Sequence, residues 1–201
     1  MKKLLFLFTI FLFNAVSAQG IVKTMFYNVL NYPSAPPENR EVILRTILTE
    51  YEPDIFMIAE LETEVGGQEI LDESLNFDGN YFAAAPFVEN TSNDWNDEPL
   101  QQLLFYRTNT FNLVETAIVQ TYLRDINMYK LQLISEDPDT EEVFFYIFIA
   151  HLKASDGAAN EQDRLDMVLD FTDYLENLPV DANVIFAGDF NFYSANEPAY
   201  A

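Results

Sequence analysis

The first part of the chain alternates apolar segments with a segment of helical periodicity. Ile21–Val29 is rich in β-formers and predicts a strand that Asn and Pro residues close. Apolar residues then recur at helical spacing over Glu38–Glu52, and a proline ends that run. Asp54–Ala59 is a short continuous apolar segment, typical of a buried strand, and it leads directly to Glu60. These three segments predict a β-α-β unit.

The middle of the chain predicts short strands joined by polar turns. Gly66-Gly67 opens a shorter helix that runs through Leu75, and the irregular, polar stretch Phe87–Pro99 predicts a surface loop. The strand-like segments are Tyr81–Pro86, Leu103–Arg107, Leu113–Tyr122, Met128–Ile134 and Val143–His151. Short connections such as Glu136–Thr140 favour antiparallel hairpins.

The last part of the chain predicts a long helix and one more strand. The helix covers Asn160–Leu178, and the strand Asn183–Ala187 ends in the sequence Gly188-Asp189-Phe190-Asn191. The apolar face of the helix is predicted to consist of Leu165, Val168, Leu169, Thr172 and Leu175. No repeat or interdomain linker interrupts residues 19–201, so we expect one domain there.

The first 18 residues have the order of a secretory signal peptide. Lys2-Lys3 is followed by the apolar stretch Leu4–Phe13 and by the small-residue ending Val16-Ser17-Ala18. The apolar stretch is too short for a bilayer span, which needs about 20 apolar residues. We therefore expect Met1–Ala18 to be cleaved and the domain 19–201 to be secreted or periplasmic, with no integral membrane span after cleavage.

The chain is strongly acidic but not disordered. Its 201 residues contain 10 Lys+Arg and 33 Asp+Glu, a net charge of −23, and loss of Lys2 and Lys3 would leave 8 − 33 = −25. Such a surface repels phosphate backbones, so an anionic substrate would need a metal ion or a local group of cations. The hydrophobic share of 49% and the aromatic share of 15% supply enough apolar material for a core, which excludes an acidic tail.

Cysteine and histidine usage narrows the possible chemistry. The sequence contains no cysteine, which excludes a disulfide framework, a thiolate nucleophile and a Cys-ligated zinc site. It contains one histidine, which excludes a multi-histidine metal site.

Polar side chains follow four of the predicted apolar strands. They are Asn28, Glu60, His151 and the pair Asp189 and Asn191. Each alone has a plain structural explanation as a turn residue or a solvated acid. Together they would lie outside the carboxyl ends of strands, where ligands bind in α/β sheets. Carboxylate and amide oxygens suit Mg²⁺, and a histidine can protonate a leaving alkoxide or contact a phosphate.

Four motifs in order resemble the endonuclease/exonuclease/phosphatase superfamily. They are Phe26-Tyr27-Asn28-Val29-Leu30-Asn31, Asp54-Ile55-Phe56-Met57-Ile58-Ala59-Glu60, Ile149-Ala150-His151-Leu152-Lys153 and Ala187-Gly188-Asp189-Phe190-Asn191. The family includes secreted deoxyribonucleases, abasic-site nucleases, sphingomyelinases and inositol polyphosphate phosphatases. The resemblance runs from Ile21 to the end of the sequence and implies a two-sheet, four-layer α/β sandwich of mixed strands with helices on both outer faces.

The resemblance also implies a role for each residue of the motifs. Glu60 would be the main divalent-metal ligand, and Asn28 would assist at the metal or at the substrate phosphate. Asp189 and Asn191 would bind or orient the attacking water, the phosphate and a second metal ion, if one is present. His151 would protonate the leaving group or contact the phosphate.

Two arginines also match positions of the family. Arg124, in Leu123-Arg124-Asp125, resembles a phosphate-contacting arginine of the nucleases. Tyr106-Arg107 resembles the end of a family strand, where a structural role is at least as well supported.

The expected function is that of an exported phosphodiesterase that depends on Mg²⁺, or on Mn²⁺ or Ca²⁺. Nucleic acid is the first expectation for the substrate, with a phospholipid or a small phosphoester as alternatives. An exposed aromatic hairpin would favour a lipid, whereas clustering of Arg107, Arg124 and Lys153 around Glu60 would favour nucleic acid. A noncatalytic exported module that binds Ca²⁺ or a partner through its acidic surface is a different class that stays open. The sequence leaves open DNA or RNA, one metal or two, and the oligomeric state.

The sequence departs from the family pattern at two places. Ala59 stands where the family usually has Gln before the metal-binding Glu. The family's closing Asp-His motif, whose His activates water, has no counterpart in these 201 residues, because their one histidine is His151. We therefore expect the sequence to be the N-terminal part of a longer protein and, as it stands, to be inactive or nearly so.

Overall fold

The computed structural model describes residues 20–90, 100–135, 137, 139 and 141–200. The predicted signal peptide Met1–Ala18, residues 91–99 of the predicted loop and part of the Glu136–Thr140 turn lie outside the described residues. Within the described ranges, no helix combines the length and the apolar character that crossing a membrane requires.

Strands and helices lie close to the segments that the sequence pattern predicted. In chain order they are β1 (Thr24–Tyr32), α1 (Arg40–Tyr51), β2 (Ile55–Leu61), α2 (Glu64–Ile70), β3 (Phe82–Ala84), β4 (Gln101–Arg107), β5 (Phe111–Val119), β6 (Ile126–Leu133), β7 (Phe144–His151), α3 (Ala158–Leu175) and β8 (Asn183–Asp189). A π-helical turn, Leu71–Leu75, continues α2, and a short 3-10 helix, Pro198–Tyr200, follows β8.

The strands form two mixed four-stranded sheets. The strand orders are β1-β2-β4-β3 and β5-β6-β7-β8. One pair in each sheet is parallel, β1 with β2 and β7 with β8, and a helix connects each pair, α1 in the first and α3 in the second. The remaining pairs are antiparallel, including the predicted hairpins β5-β6 and β6-β7. Because both parallel pairs belong to β-α-β units, the carboxyl ends of their strands lie at one edge of each sheet.

The central strands are buried on both faces, which explains their continuous apolar sequence. In β2, Ile55 and Met57 pack into the core between the sheets, while Phe56 and Ile58 pack under the helices. In β7, Ile147 and Ile149 belong to the core between the sheets and Phe148 to the core under α3. The molecule is thus a four-layer α/β sandwich with helices on both outer faces, as predicted.

Two element boundaries differ from the sequence prediction for local reasons. Strand β1 continues past Asn28 to Tyr32, because Leu30 and Asn31 adopt left-handed backbone conformations that form a bulge in place of a strand end. Helix α2 begins before Gly66-Gly67, since the side chain of Thr63 accepts the Gly66 N–H and caps the helix.

The predicted apolar face of α3 is correct only in part, since Val168 and Leu175 pack against the core under the helix. The buried residues of the helix are Arg164, Met167 and Phe171, whereas Thr172 is exposed and Leu169 is 50% exposed. The aromatic residues of the sheet fix this orientation, because Phe171 packs against both Phe148 and Phe186. The helix is therefore rotated so that an arginine occupies a core position.

Candidate metal centre

Side chains from four strand ends meet at one place between the two sheets. The first sheet brings Asn28 beside the end of β2, where Asn28 pairs with Ala59 and Glu60 follows. The second sheet brings His151 and Asp189 opposite each other as register partners. The predicted residues Asn28, Glu60, His151 and Asp189 are therefore brought together.

A single amide bridges the two carboxylates of this site. Nδ2 of Asn28 donates to Oε1 of Glu60 at 2.7 Å and to Oδ2 of Asp189 at 2.9 Å. The bridge joins the two sheets, since Glu60 belongs to β2 and Asp189 to β8. The amide of Asn28 uses one oxygen of each carboxylate, and every carboxylate oxygen has two lone pairs, so each group can still bind a cation.

The backbone around Asn28 holds its side chain in this orientation. Oδ1 of Asn28 accepts the N–H of Leu30 at 2.9 Å, so both ends of the carboxamide are used. The guanidinium of Arg40 donates to the carbonyls of Val29, Leu30 and Asn31 and so supports the left-handed turn that follows. In this arrangement Asn28 organises the carboxylates, and its predicted contact with metal or phosphate remains a prediction.

Glu60 has a strained backbone. Its φ is +64°, in the left-handed region, and it lies where the register of β2 shifts against both β1 and β4. A non-glycine residue in this conformation costs about 1–2 kcal/mol. Strain of this kind persists where the surrounding structure imposes it, which is common at functional sites. The bulge turns the Glu60 side chain toward Asn28 and His151.

Replacing Glu60 with glycine is expected to abolish metal binding without lowering stability. Glycine relieves about 1 kcal/mol of backbone strain and removes the repulsion from Asp189, which together offset the loss of one hydrogen bond of about 1 kcal/mol. Urea unfolding without metal measures the free energy of unfolding. Glu52→Gly is the matched control, because Glu52 has a φ of +52° at the end of α1, far from the site. That control should gain stability of up to about 1 kcal/mol and leave metal binding unchanged. A loss of more than about 2 kcal/mol in Glu60→Gly would contradict the assignment of strain to Glu60.

His151 completes the group. Its imidazole is 4% exposed, and Nε2 lies 3.6 Å from Oε1 of Glu60, whose side chain is 13% exposed. One ligand atom from each of Glu60, His151 and Asp189 lies within 4.8 Å of the other two.

These residues fit a divalent cation. Two carboxylates are held close together on one amide, and among the residues that the structure describes no lysine or arginine lies at ion-pair distance from either, while the imidazole of His151 lies 3.6 Å from Glu60. A bound cation would therefore neutralise the negative charge of the neighbouring Glu60 and Asp189 carboxylates. Carboxylate oxygens with room for water are typical ligands of Mg²⁺, Mn²⁺ or Ca²⁺. The group is thus a candidate metal centre with Glu60 and Asp189 as its anionic ligands.

Gly188 permits the close approach of β7 and β8 beside this centre. A Cβ at Gly188 would lie 2.1 Å from the carbonyl oxygen of Ala150, a backbone atom that cannot move aside. Ala150 and Gly188 are register partners immediately before His151 and Asp189. The absence of a side chain at Gly188 therefore sets the spacing of the two site residues.

Asn191 and Arg124 contact the backbone next to the site. The N–H of Asn191 donates to Oδ1 of Asp189 at 3.2 Å, and Nδ2 of Asn191 donates to the Leu152 carbonyl at 3.1 Å. Arg124 is 5% exposed, and its Nη1 donates to the carbonyls of Leu152 at 3.1 Å and His151 at 3.5 Å. Arg124 thus supports the chain at His151, and its contact with a substrate phosphate remains a prediction.

Arg107 lies at the other end of the first sheet. It ends β4, which runs antiparallel to β2, and its Nε lies 3.5 Å from Oδ1 of Asp54 just before β2 begins. The guanidinium also lies over the Phe82 ring. Arg107 therefore has a structural role and does not join a basic cluster around Glu60.

A buried ion pair that the sequence pattern did not predict lies next to the loops that follow His151 and Asp189. Nε of Arg164 lies 2.6 Å from Oε2 of Glu197, and both side chains are almost completely buried. The hydrogen bond from Arg164 lowers the pKa of the Glu197 carboxyl below its ordinary value. Helical spacing could have revealed Arg164, because it lies three and seven residues before Met167 and Phe171 on one face. Nothing in the local sequence marks Glu197.

Several solved structures have the same fold as this chain. No protein-family model and no curated protein matches the chain. The human Nocturnin catalytic domain with bound sulfate has a TM-score of 0.65 and 21% identity, over 89% of this chain and 67% of that one. TDP2 from D. rerio, complexed with a single-strand DNA product, has a TM-score of 0.60 and 18% identity, over 87% of this chain and 62% of that one.

The name of a third protein of similar fold describes a sugar phosphatase. It is a mannosyl-6-phosphatase from Bacteroides thetaiotaomicron, with a TM-score of 0.60 and 14% identity, over 90% of this chain and 68% of that one. The chain thus spans between 62% and 68% of the length of these three chains. It shares their fold.

Proposed function

We propose that this chain, which has the fold of the endonuclease/exonuclease/phosphatase superfamily, is the site-bearing part of an exported, divalent-metal-dependent phosphodiesterase of the nuclease type. One observation carries the proposal. Asn28 holds the carboxylates of Glu60 and Asp189 together beside the buried imidazole of His151. Two anionic ligands next to a proton donor are the groups that metal-assisted hydrolysis of a phosphoester needs.

Each residue of the site has a distinct task. When bound, Mg²⁺ supplies positive charge for the phosphoryl oxygens and lowers the pKa of coordinated water. Glu60 and Asp189 hold the ion, and Asn28 keeps their carboxylates at a fixed spacing. Asn191 fixes the second oxygen of Asp189 through its N–H. As water attacks phosphorus and the P–O bond to the leaving group breaks, His151 donates a proton from Nε2 to the leaving oxygen, and the water passes its own proton to a base outside this group.

Nucleic acid is the proposed substrate. The neighbour TDP2 was solved with a single-strand DNA product. The proposed cation would offset the net charge of −23 at the point where a phosphodiester must approach. Direct phosphate contact by Arg124 belongs to this proposal.

A small phosphoester is the second candidate for the substrate. Arg107 lies at the far end of the first sheet, so the basic cluster that would favour nucleic acid lacks one of its three members. A neighbour of similar fold is named as a mannosyl-6-phosphatase. A small substrate would also need fewer protein cations than a nucleic acid backbone does.

We also propose that the protein is exported. Support comes from the order of charged, apolar and small residues over Met1–Ala18.

The role of His151 predicts that the cost of its removal depends on the leaving group. We expect His151→Ala, in the protein expressed from its complete reading frame, to lower Mg²⁺-dependent cleavage of plasmid DNA by about 10²–10⁴-fold. The same variant should lose about tenfold or less on bis(p-nitrophenyl) phosphate, because nitrophenolate leaves without needing a proton. Initial rates on both substrates, with and without chelator, measure this difference.

Lys23→Ala is the control, since it removes an exposed cation next to the beginning of β1, at the end of the sheet away from the site. It should retain wild-type rates on both substrates. Equal losses on the two substrates in His151→Ala would contradict the role as proton donor. Cleavage of small phosphoesters but not of DNA by the wild type would favour the second candidate. A wild type that hydrolyses neither would favour the acidic binding module.

A further inference from the structure

We propose that the buried pair of Arg164 and Glu197 is a positioning device that sets the distance between His151 and the Asp189–Asn191 segment. The inference rests on the proposed function, because it assigns to this pair the geometry of that same site. Neither residue touches the carboxylates or the imidazole, so they act through the two loops that follow β7 and β8.

Arg164 fixes the loop after β7. Its Nη1 donates to the carbonyls of Lys153 at 2.7 Å and Ser155 at 3.0 Å, which are two and four residues after His151. Its Nε donates to Glu197. The guanidinium, which is itself planar, thus binds three acceptors from a helix that is anchored in the core.

Glu197 fixes the loop after β8. Its Oε2 accepts from Arg164 at 2.6 Å, and its Oε1 accepts the backbone N–H of Tyr193 at 2.8 Å. The hydroxyl of Tyr193 in turn accepts the N–H of Ser155 at 3.2 Å. The two loops are therefore tied together by the ion pair and by this second contact.

The tied loops adjoin the site residues through Leu152. The Leu152 N–H donates to the Asp189 carbonyl at 2.9 Å, and the Leu152 carbonyl accepts Nδ2 of Asn191 at 3.1 Å. A shift of either loop would change these contacts and with them the positions of His151 and Asn191. Displacements of about 1 Å at a reacting group cost about a hundredfold in rate.

A buried ion pair is a poor way to gain stability alone. The cost of desolvating two charges offsets much of their attraction. Well-packed apolar residues in place of such a pair often give the same or a higher stability. A guanidinium with several fixed donors gives specificity of geometry instead. Arg164 and Glu197 contact the two loops that follow His151 and Asp189, which is consistent with a role in setting the geometry of the site.

Arg164→Lys is the informative variant, because it keeps the charge but loses the planar set of donors. In the complete protein we expect kcat for cleavage of plasmid DNA, the substrate whose leaving group needs the proton of His151, to fall at least tenfold, with KM changed less than threefold. The imidazole resonances of His151, which are identified in the complete protein by their absence from His151→Ala, should move or broaden in ¹H–¹⁵N spectra. Arg45→Lys is the matched control, since Arg45 forms an exposed ion pair with Glu73 away from the site, and neither kcat nor the resonances should change.

Tyr193→Phe keeps the test valid if Arg164→Lys does not fold. It removes one hydroxyl from the link between the loops, so we expect a smaller loss in kcat, about threefold, and a smaller shift of the same resonances. Folded variants with wild-type kcat and unchanged His151 resonances would overturn the inference. A wild type without hydrolysis would refute the proposed function, and the shift of the resonances would still decide whether the pair positions His151.

Discussion

Glu60→Gln is expected to lower kcat/KM for Mg²⁺-dependent hydrolysis by about a thousandfold or more. The carboxylate is one of two anionic groups on the amide of Asn28, and the neutral amide of glutamine is a much weaker ligand for a hard cation. A metal ion contributes several kcal/mol to transition-state stabilisation, and each 1.4 kcal/mol changes the rate tenfold. Rates measured over a range of Mg²⁺ concentrations will distinguish weaker metal binding from a lower rate at saturating Mg²⁺.

Glu73→Gln is the matched control for this substitution. Glu73 is an exposed glutamate paired with Arg45, so its replacement should leave the rate within about twofold of wild type. Circular dichroism and urea unfolding should show Glu60→Gln to be folded. A folded Glu60→Gln with wild-type dependence on Mg²⁺ would contradict the assignment of Glu60 as a metal ligand.

Gly188→Ala is expected to destabilise the fold by about 3 kcal/mol or more and to remove activity. The new methyl group would lie 2.1 Å from the Ala150 carbonyl oxygen, so the two strands must separate. Separation would pull Asp189 away from His151, its register partner. The free energy of urea unfolding and the rate of phosphodiester hydrolysis measure the two effects.

Gly20→Ala provides the control for glycine replacement, because a Cβ at Gly20 would contact nothing within 4 Å. It should match the wild type in stability and rate. A Gly188→Ala variant with wild-type stability would mean that β7 and β8 can lie further apart than the structure shows.

The sequence predicted the arrangement of the site because it depends on strand ends. Apolar runs locate β2 and β7. Glu60 lies near the carboxyl end of β2, and His151 is the last residue of β7. The sequence predicted one β-α-β unit, whose parallel strands place Asn28 and Glu60 at a common edge. Their grouping with His151 and Asp189 followed from the rule that ligands bind outside the carboxyl ends of strands, and from the resemblance to the family.

Other features depend on tertiary contacts that local patterns do not contain. The left-handed backbone of Glu60 follows from register shifts against two neighbouring strands. The face of α3 is set by the packing of Phe171 on the sheet, and so the predicted face did not include Arg164, which is buried. The partner of Arg164, Glu197, lies 33 residues away in an irregular segment, where helical or strand periodicity carries no information.

Charge explains why the substrate was harder to predict than the site. A chain with 33 acidic and 10 basic residues offers few cations to a nucleic acid. Of the arginines considered at the sequence level, Arg107 is used at the far end of the first sheet and Arg124 supports the backbone at His151. Most of the attraction between this site and a phosphate would therefore come from a bound metal ion.

The most direct test of the account is a calorimetric titration of the complete protein with Mn²⁺, a divalent cation that suits carboxylate ligands. The wild type should bind the ion at a saturable site, and binding should be lost in both Glu60→Gln and Asp189→Asn while Glu73→Gln binds normally. Saturable binding that survives in both site variants, or no binding by the wild type, would contradict the assignment of a metal centre to the carboxylates joined by Asn28.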